Sequence, residues 1–293
     1  MAEFSVLNLG AGVQSTYTYL RYGDPDRAGG PLFSYAIFAD TQEEPGAVYE
    51  HLAWMQSLEA RGYPRILIAS KGKLGDHLKV GVNSTGGRFA SIPAFTKAPG
   101  DEREGRTRRQ CTSEYKIEVI DRVIRRQILG LQPRQRIPRS VHVYQFIGIS
   151  LDEMRRSFRI MKRYEEIKWS SVRFPLLEDR ITRAQCQAWF RDSGVVPHVV
   201  PRSACVFCPF HTDEEWVRLQ LEDPAAFARA VEIDDALRVP GNVVNRSMDK
   251  PMFLHRSCQP IRSIDFVALE EIVRKQPYLS PAFIEECEGM CGV

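Results

Sequence analysis

The stretch LNLGAGVQST, residues 7–16, joins an apolar run to two glycines, Gly10 and Gly12, and then to a glutamine and two hydroxyl residues. Glycines at the end of a buried strand let backbone N–H groups approach a phosphate, and the amino end of a following helix adds partial positive charge. The stretch lacks the Gly-Lys-Ser/Thr sequence of the common nucleotide loop. It therefore predicts either an ordinary strand-to-helix turn or a loop that holds phosphates through N–H groups, assisted by the hydroxyls of Ser15 and Thr16.

Apolar runs alternate with helical stripes along the first two thirds of the chain. Strands are predicted at residues 4–9, 34–39, 65–69 and 141–149, and helices at residues 15–22, 45–61 and 112–129, after Ser150 and from Thr182. This alternation predicts an α/β fold in which a doubly wound parallel sheet carries helices on both faces. The sequence SLDE at residues 150–153 fits a capping box, with Ser150 as the N-cap and Glu153 as its partner.

The character of the sequence changes after about residue 177, where short helices, prolines and cysteines replace strand signals. We therefore place a domain boundary near residue 180. Residues 1–180 are expected to form the sheet domain, and residues 181–293 a smaller, mainly helical lobe that contains cysteines. A chain of 293 residues suits one large core with such an added lobe.

The middle of the chain is basic, although the net charge is only +3. Residues 101–168 contain 17 Lys and Arg against 10 Asp and Glu. An anionic partner such as tRNA or DNA is therefore expected to bind within residues 103–159. The alternative interpretation is a set of solvated helix faces, because exposed arginines are common.

The start of the sequence, MAEFSVLNLG, lacks the basic and apolar layout of a signal peptide, and no run approaches the roughly 20 apolar residues of a membrane helix. We expect a cytoplasmic protein that does not contact membranes. The seven cysteines are an odd number, which in such a protein argues against a disulfide framework and favours metal binding or thiol chemistry. Cys186 lies among apolar residues of a predicted helix and is expected to be a core residue.

Four segments occur in one order along the chain: LGAGVQST at residues 9–16, FADTQEEP at 38–45, RQCTSEYK at 109–116 and GISLDEMRR at 148–156. Together they resemble the PP-loop ATP pyrophosphatase superfamily, and more closely its phosphoadenosine-phosphosulfate (PAPS) reductase branch. The usual loop of that superfamily is S-G-G-x-D-S, whereas this chain has Gln14 in place of the aspartate. That change is the one expected of the PAPS reductase branch. The resemblance covers residues 1 to about 210 and the last few residues.

The resemblance implies a Rossmann-like domain of the adenine nucleotide alpha hydrolase type, which binds ATP, PAPS or adenosine phosphosulfate (APS), with Mg²⁺ as a candidate accompanying ion. The nucleotide contacts that it implies are Gly10, Gly12, Gln14, Ser15, Asp40, Thr41 and Gly148, with Arg155 or Arg156 reaching a phosphate. Asp152, at the end of the fourth predicted strand, is the candidate catalytic carboxylate.

Cys205 and Cys208 form a C-x-x-C pair, a spacing that lets two thiolates bind one metal or cluster, or act as a redox pair. Together with Cys111 they resemble the cysteine set that surrounds a [4Fe-4S] cluster in iron–sulfur members of the PAPS and APS reductase branch. Those members carry a further cysteine directly before Cys111, where this chain has Gln110.

The missing cysteine leaves the metal site open to several interpretations. The fourth ligand is Cys258 or a tail cysteine, or the cluster has three protein ligands and one open iron that binds a sulfur atom for transfer. A zinc site completed by Cys258 or His211 is an alternative, and so is a protein without a metal.

The carboxyl-terminal sequence ECEGMCGV contains two more cysteines, Cys287 and Cys291. It is similar in one respect to PAPS reductases, which end in a short Glu-Cys-Gly tail whose cysteine attacks the sulfur of the bound nucleotide. Cys287 and Cys291 are therefore candidate nucleophiles. The alternatives are a cluster ligand and an inert terminus.

Three functions follow from these features. The first is a PAPS-reductase-type enzyme that uses a thiol reductant and releases sulfite. The second is an ATP-dependent sulfurtransferase that takes sulfur from a donor and modifies tRNA or DNA through an adenylated intermediate. The third, without catalysis, is an interaction module stapled by a metal on a degenerate nucleotide fold.

Overall fold

In the computed structural model of this chain, residues 2–81, 92–107, 109–239 and 250–275 are described. The strands in these ranges are β1 Ala2–Leu9, β2 Tyr35–Asp40, β3 Arg65–Ser70, β4 Phe95–Thr96, β5 Gly105–Arg106, β6 Val141–Ile147, β7 Ser170–Arg173 and β8 Met252–Phe253. The helices are α1 Val13–Tyr22, α2 Gly46–Ser57, α3 Leu74–Val80, α4 Glu118–Val123, α5 Met154–Tyr164, α6 Pro175–Glu178, α7 Arg183–Ser193, α8 Asp213–Glu222, α9 Pro224–Ala236 and α10 Val267–Lys275. Short 3-10 turns cover Leu58–Arg61, Leu151–Glu153 and Ile261–Ser263, and π-helical turns at Thr112–Ile117 and Ile124–Ile128 flank α4.

Within the described ranges, no helix is both long enough and apolar enough to cross a membrane.

Five strands form one sheet in the order β3-β2-β1-β6-β7, and all of its neighbouring pairs are parallel. The predicted α/β fold with a parallel central sheet flanked by helices is thus confirmed. The chain runs outward from β1 through β2 to β3 on one side, and through β6 to β7 on the other. The carboxyl ends of β1 and β6 therefore border the crevice in which open parallel sheets bind ligands.

Side chains from successive residues of β1 enter two different cores. Leu7 packs with Phe38 of β2 in one apolar cluster, whereas Val6 packs with Ile37 in a second cluster on the other face. Because neighbouring residues of a strand point to opposite faces, burial of both faces requires a continuous apolar run. This requirement explains why β2, which is buried on both faces, is evident in the sequence as an apolar stretch.

The edge strand β7 was not predicted, because its sequence SSVR is polar. It is held by a buried chain of polar side chains in the sheet. The Asn8 amide donates to Gln145 Oε1 at 3.0 Å, and the Gln145 amide donates to Ser170 Oγ at 3.1 Å. Hydrogen bonds between buried polar groups avoid the cost of leaving those groups unpaired.

Apart from the two apolar clusters of the sheet, a further apolar core, here called the second core, lies around Trp216 of α8 and Phe207, the residue before Cys208. Leu74 of α3 and Tyr115 pack in this second core, although both precede residue 180. In the other direction, α7 packs on α1, with Cys186 buried in the sheet core and the rings of Tyr17 and Trp189 5.1 Å apart. The core position predicted for Cys186 is confirmed, and the packing crosses residue 180 in both directions.

A buried histidine joins α1, α2 and the segment after α7. Thr16 Oγ1 lies 2.9 Å from His51 Nε2, and His51 Nδ1 lies 2.8 Å from His198 Nε2. The Trp54 ring stacks on the His51 imidazole with ring centroids 5.4 Å apart. Burial and the neighbouring His198 lower the pKa of His51 to about 3.

We predict that this histidine makes the fold sensitive to acid. In the unfolded chain His51 takes up a proton near its usual pKa of 6.5, whereas in the folded protein it stays neutral down to about pH 3. The stability that it contributes is therefore complete above pH 6.5 and falls by up to about 1.4 kcal/mol per pH unit below it. We expect the free energy of unfolding, measured with urea, to fall less between pH 7.5 and pH 4.5 in His51→Gln than in the wild type. An equal difference in both proteins would contradict the assignment.

Candidate functional site

The loop Gly10–Gly12 follows β1 and ends in α1, as its sequence predicts. Ala11 is fully buried and has a φ of 58°, in the left-handed region that side chains rarely adopt. The Gly12 N–H donates to Ser15 Oγ at 3.2 Å, so the predicted phosphate ligand Ser15 also braces the turn. A non-glycine residue held in this conformation is typical of functional loops.

Gly148 permits the end of β6 to lie directly against this loop. A Cβ atom at residue 148 would come within 3.0 Å of the Gln14 carbonyl and of the Ser15 nitrogen. Both are backbone atoms at the start of α1, which cannot move away as a flexible side chain can. Glycine at this position is therefore required for the close approach of the β1 and β6 ends.

Gln14 joins the two ends by hydrogen bonds. Its amide nitrogen donates to Glu153 Oε2 at 2.7 Å and to Ser150 Oγ at 3.3 Å. The capping box predicted for Ser150 and Glu153 is wrong, because Ser150 makes no side-chain cap and residues 151–153 form a 3-10 turn. The Glu153 carboxylate is used instead between Gln14 and Arg156.

Arg156 is the arginine that reaches this site. Its Nη1 pairs with Glu153 Oε1, and the whole residue is only 8% exposed. Its Nε and Nη2 atoms are buried and have no hydrogen-bond partner among the described residues. A buried guanidinium with two unused donor nitrogens is suited to bind an anionic oxygen.

Two neighbours of Arg156 that the sequence also suggested have other surroundings. Arg155 is exposed on α5. Asp152 is exposed too, and its Oδ1 accepts the backbone N–H of Arg183 at the start of α7, 3.0 Å away. A carboxylate in the first turn of a helix is stabilised by the helix dipole, so this contact gives Asp152 a structural role. Its predicted catalytic role stays a prediction.

Asp40 and Thr41 lie at the carboxyl end of β2, beside the loop. Asp40 Oδ1 accepts the backbone N–H of Gln42 at 2.7 Å and the Tyr49 hydroxyl at 2.9 Å. Burial and the neighbouring Asp40 raise the pKa of the Tyr49 hydroxyl, so Tyr49 remains a donor. Thr41 is buried, and its Oγ1 lies 3.2 Å from Cys205 Sγ, which links the β2 end to the cysteines.

Three of the predicted metal ligands line one small cavity: Cys111, Cys205 and Cys208. Burial and the nearby Glu44 carboxylate raise the pKa of the Cys205 thiol well above its ordinary value. The positive charge of Lys116 lowers this pKa, but only in part. In the protein without a metal, Cys205 is therefore a protonated thiol. A metal bound there would have to displace that proton.

The residues proposed to complete the ligand set lie elsewhere. Cys258 is absent from the lining of the cavity, and the charged groups that act on its thiol are Glu104 and Lys97. His211 Nε2 lies 3.0 Å from the carbonyl oxygen of Cys205, so it contacts the backbone of the C-x-x-C pair. The tail cysteines Cys287 and Cys291 lie outside the described residues.

The donor chemistry of the cavity suits a thiophilic metal, because thiolates favour zinc and iron–sulfur clusters. Among the residues that the structure describes, no three His, Cys, Asp or Glu side chains are arranged to hold one metal ion. Gln110, directly before Cys111, has a buried side-chain oxygen without a hydrogen-bond partner in the same ranges.

The segment 201–206 connects the cysteine cavity to the phosphate loop. A Cβ atom on Gly12 would lie 3.6 Å from the Ser203 nitrogen, so this segment lies over the loop. Ser203 Oγ donates to Glu44 Oε2 at 3.1 Å, and the Val206 N–H donates to the Glu43 carbonyl at 2.7 Å. Sequence reasoning missed these residues, although two adjacent glutamates directly after a buried strand were a signal for a buried polar site.

We predict that metal binding depends on the three cysteines of the cavity and not on Cys258. Anaerobically purified wild type is expected to be brown, with stoichiometric iron and sulfide, and Cys111→Ser and Cys208→Ser are expected to lose both. Cys258→Ser serves as the matched control and is expected to keep the metal, because its thiol does not line the cavity. Zinc in place of iron would identify the alternative metal, whereas loss of metal only in Cys258→Ser would contradict this ligand set.

The described geometry brings together a lysine-free phosphate loop, a buried arginine and a cavity lined by three thiols. Gly10, Gly12, Gln14, Ser15, Gly148 and Arg156 surround the β1 and β6 ends, and Thr41 leads from β2 to the cavity. Comparison of the chain with protein-family models, with curated proteins and with solved structures found no match.

Proposed function

We propose that this chain is a PP-loop enzyme of the PAPS-reductase-like type, which binds an adenine nucleotide at Gly10–Ser15 and carries out sulfur chemistry at the neighbouring cysteines. One contact supports the proposal most directly. Ser203 lies against Gly12 of the phosphate loop, and two residues later Cys205 lines the cysteine cavity. In this proposal, a nucleotide phosphate bound at the loop and the thiols lie on two sides of one short segment.

Backbone N–H groups of the loop and the amino end of α1 would bind the nucleotide phosphates. Arg156 would supply the positive charge that a lysine supplies in other nucleotide loops, through its unused Nε and Nη2 atoms. Glu153 orients that guanidinium and the Gln14 amide at the same time. Mg²⁺, if it accompanies the nucleotide, would be held chiefly by the phosphate oxygens.

Cys111, Cys205 and Cys208 would hold the metal centre, which is a [4Fe-4S] cluster in the preferred version and zinc in the alternative. A cluster with an open iron supplies a binding position for sulfur. The chain supplies the environment: burial beside Glu44 keeps Cys205 protonated until a metal replaces the proton, and Lys116 offsets the charge of Glu44, with Nζ 3.6 Å from Oε1.

In the reductase version the substrate is PAPS or APS. A tail thiolate, from Cys287 or Cys291, attacks the sulfonate sulfur, the S–O bond to the nucleotide breaks, and the adenosine phosphate leaves with the bonding electrons. A second thiol, from the reductant, then attacks the cysteine sulfur, so that sulfite leaves and a disulfide forms. The reductant is thus oxidised and the sulfonate is reduced to sulfite.

A second candidate is ATP-dependent sulfur transfer to a nucleic acid. It is favoured by the exposed basic face of α5, because the first turn of that helix carries the site residue Arg156. In this version the base oxygen attacks the α-phosphate of ATP and pyrophosphate leaves. Sulfur from a donor then attacks the adenylated carbon, the C–O bond breaks, and AMP leaves with the oxygen. The phosphate loop has the same role in both candidates.

We predict that Arg156→Gln weakens the binding of the adenine nucleotide by about tenfold to a hundredfold, because it removes charge-assisted hydrogen bonds. Calorimetric titration with ATP and with PAPS measures this effect, and Arg136→Gln is the matched control because it removes an exposed arginine far along the sequence from the loop. Sulfite release from PAPS with a thiol reductant would identify the reductase, and pyrophosphate release from ATP would identify the second candidate. Wild-type nucleotide affinity in Arg156→Gln, or the absence of nucleotide binding in the wild type, would contradict the proposal.

A further inference from the structure

Helix α5 has three different faces. Its buried face consists of Arg156, Ser157, Ile160 and Tyr164. With about 100° per residue, Met154, Phe158 and Met161 fall on a second stripe, and they are 47%, 57% and 38% exposed. Leu151, in the 3-10 turn before the helix, is 38% exposed and lies next to the start of this stripe. We call these four side chains the apolar ridge.

The third face of α5 is basic. It consists of Arg155, Arg159, Lys162 and Arg163, all of which are exposed. The helix contains no acidic residue between Met154 and Tyr164. The three faces are centred roughly a third of a turn apart, from the same rise in angle per residue. The apolar ridge therefore runs along the basic face on one side and meets the protein core on the other.

We propose that the apolar ridge and the basic face of α5 together form a docking surface for a single-stranded RNA loop. Unpaired bases stack on exposed aromatic and apolar side chains, as Phe158 and its methionine neighbours allow, while the neighbouring cations bind the phosphates. An isolated apolar stripe would not select such a partner. A stripe bordered along its length by four cations and by no carboxylate of its own helix complements a polyanion with apolar bases.

Two features favour unpaired RNA over a DNA duplex. A third of the circumference of α5 is buried against its own protein, and its exposed apolar side chains require exposed base faces, which a duplex does not offer. Three of the four cations are arginines, whose planar guanidinium binds phosphate in a bidentate manner and stacks on bases. Unpaired bases are held ready in the loops of folded RNA.

The position of the surface connects it to the candidate site. The ridge begins at Leu151 and Met154, on either side of Glu153, whose carboxylate binds Gln14 of the phosphate loop. An RNA loop docked on α5 would thus approach the bound nucleotide from the carboxyl end of β6. The inference rests on the proposed function in its second form, in which the nucleic acid is the sulfur acceptor.

The sequence predicted a nucleic-acid site within residues 103–159, and the structure reduces the number of basic residues in that range that could form it. Arg122, Arg125 and Arg126 donate hydrogen bonds to backbone carbonyls of their own chain. Arg136 and Arg139 are exposed, but they precede β6 and therefore lie at the amino end of the sheet, away from the phosphate loop. The exposed cations of α5 adjoin the phosphate-loop end of the candidate site, whereas the exposed Arg106 lies over the Phe210 ring, close to the cysteine pair.

The test compares the double variant Phe158→Ala/Lys162→Gln with the control Arg136→Gln/Val267→Ala in the full-length protein. Each double variant removes one exposed cation and one exposed apolar side chain, Val267 being 71% exposed on α10. Fluorescence anisotropy measures binding of a labelled RNA hairpin with an unpaired loop, of the same sequence as a full duplex, and of single-stranded DNA, at two salt concentrations. ATP binding is measured on the same samples by calorimetry.

The wild type and the control are expected to bind the hairpin equally, and the α5 variant at least about tenfold more weakly, with a less steep dependence on salt. Equal weakening of both variants, preference for the duplex or for single-stranded DNA, or binding to vesicles of phosphatidylserine and phosphatidylcholine in place of RNA would overturn the proposal. So would self-association of the wild type that Phe158→Ala abolishes, because a second copy would then cover the ridge. Normal ATP binding without RNA binding would reject this inference alone, whereas a wild type that binds neither ATP nor PAPS would reject the proposed function as well.

Discussion

The carboxylate of Glu153 lies between the Gln14 amide and the Arg156 guanidinium, and the rest of the candidate site depends on this arrangement. It ties the helix after β1 to the turn after β6, across the point where the strand order of the sheet reverses. All three groups are largely removed from water, where hydrogen bonds to charged groups are strongest. Gly148 makes the contact geometrically possible, because a side chain there would strike the backbone of Gln14.

The same arrangement explains how the loop manages without a lysine. Arg156 neutralises one carboxylate with Nη1 and keeps two buried nitrogens unused within the described ranges. The cost of burying an arginine is thus offset by one carboxylate, and the remaining donors gain a partner only when an anion binds. In the proposed function, these donors are in place for a phosphate before the nucleotide binds.

The cysteines extend the site in the direction of β2. The Thr41 hydroxyl contacts the Cys205 thiol. The Glu44 carboxylate accepts a hydrogen bond from Ser203 and helps to raise the pKa of Cys205. The segment after β2 and the segment 201–206 are therefore parts of one polar layer between the phosphate loop and the second core. This layer separates the cysteine cavity from the loop Gly10–Gly12 by one short segment of the chain.

Much of the fold could be predicted from the sequence, and less of the site. The strands β1, β2, β3 and β6 are rich in apolar residues, and β1, β2 and β6 lie inside the sheet, whereas the edge strand β7 is polar and is recognisable only by its partner β6. The motif at residues 148–156 indicated which segment contributes to the site, but the capping-box pattern predicted Ser150 as the partner of Glu153. Its actual partner Gln14 is 139 residues away in the sequence, and a contact over such a distance is decided by the packing of the sheet.

The contacts around the cysteines were likewise predictable only where a local sequence pattern indicated them. The C-x-x-C spacing and the segment around Cys111 predicted that these cysteines act together, and the structure places Cys111, Cys205 and Cys208 around one cavity. The choice of Cys258 as a fourth ligand had no comparable local pattern to support it. The buried role of Glu44 depends on Ser203 and Lys116, which are distant in the sequence, so it was visible only in the folded chain.

The most direct test of this account is hydrogen exchange followed by mass spectrometry, without nucleotide, with ATP and with PAPS. The account predicts that the nucleotide that binds slows amide exchange in residues 10–16 and 148–156 together, because the two segments form one phosphate site. Residues 130–140, at the opposite end of the sheet, are predicted to exchange at an unchanged rate. Protection that is confined to other segments, or the absence of any change at both 10–16 and 148–156, would contradict the account.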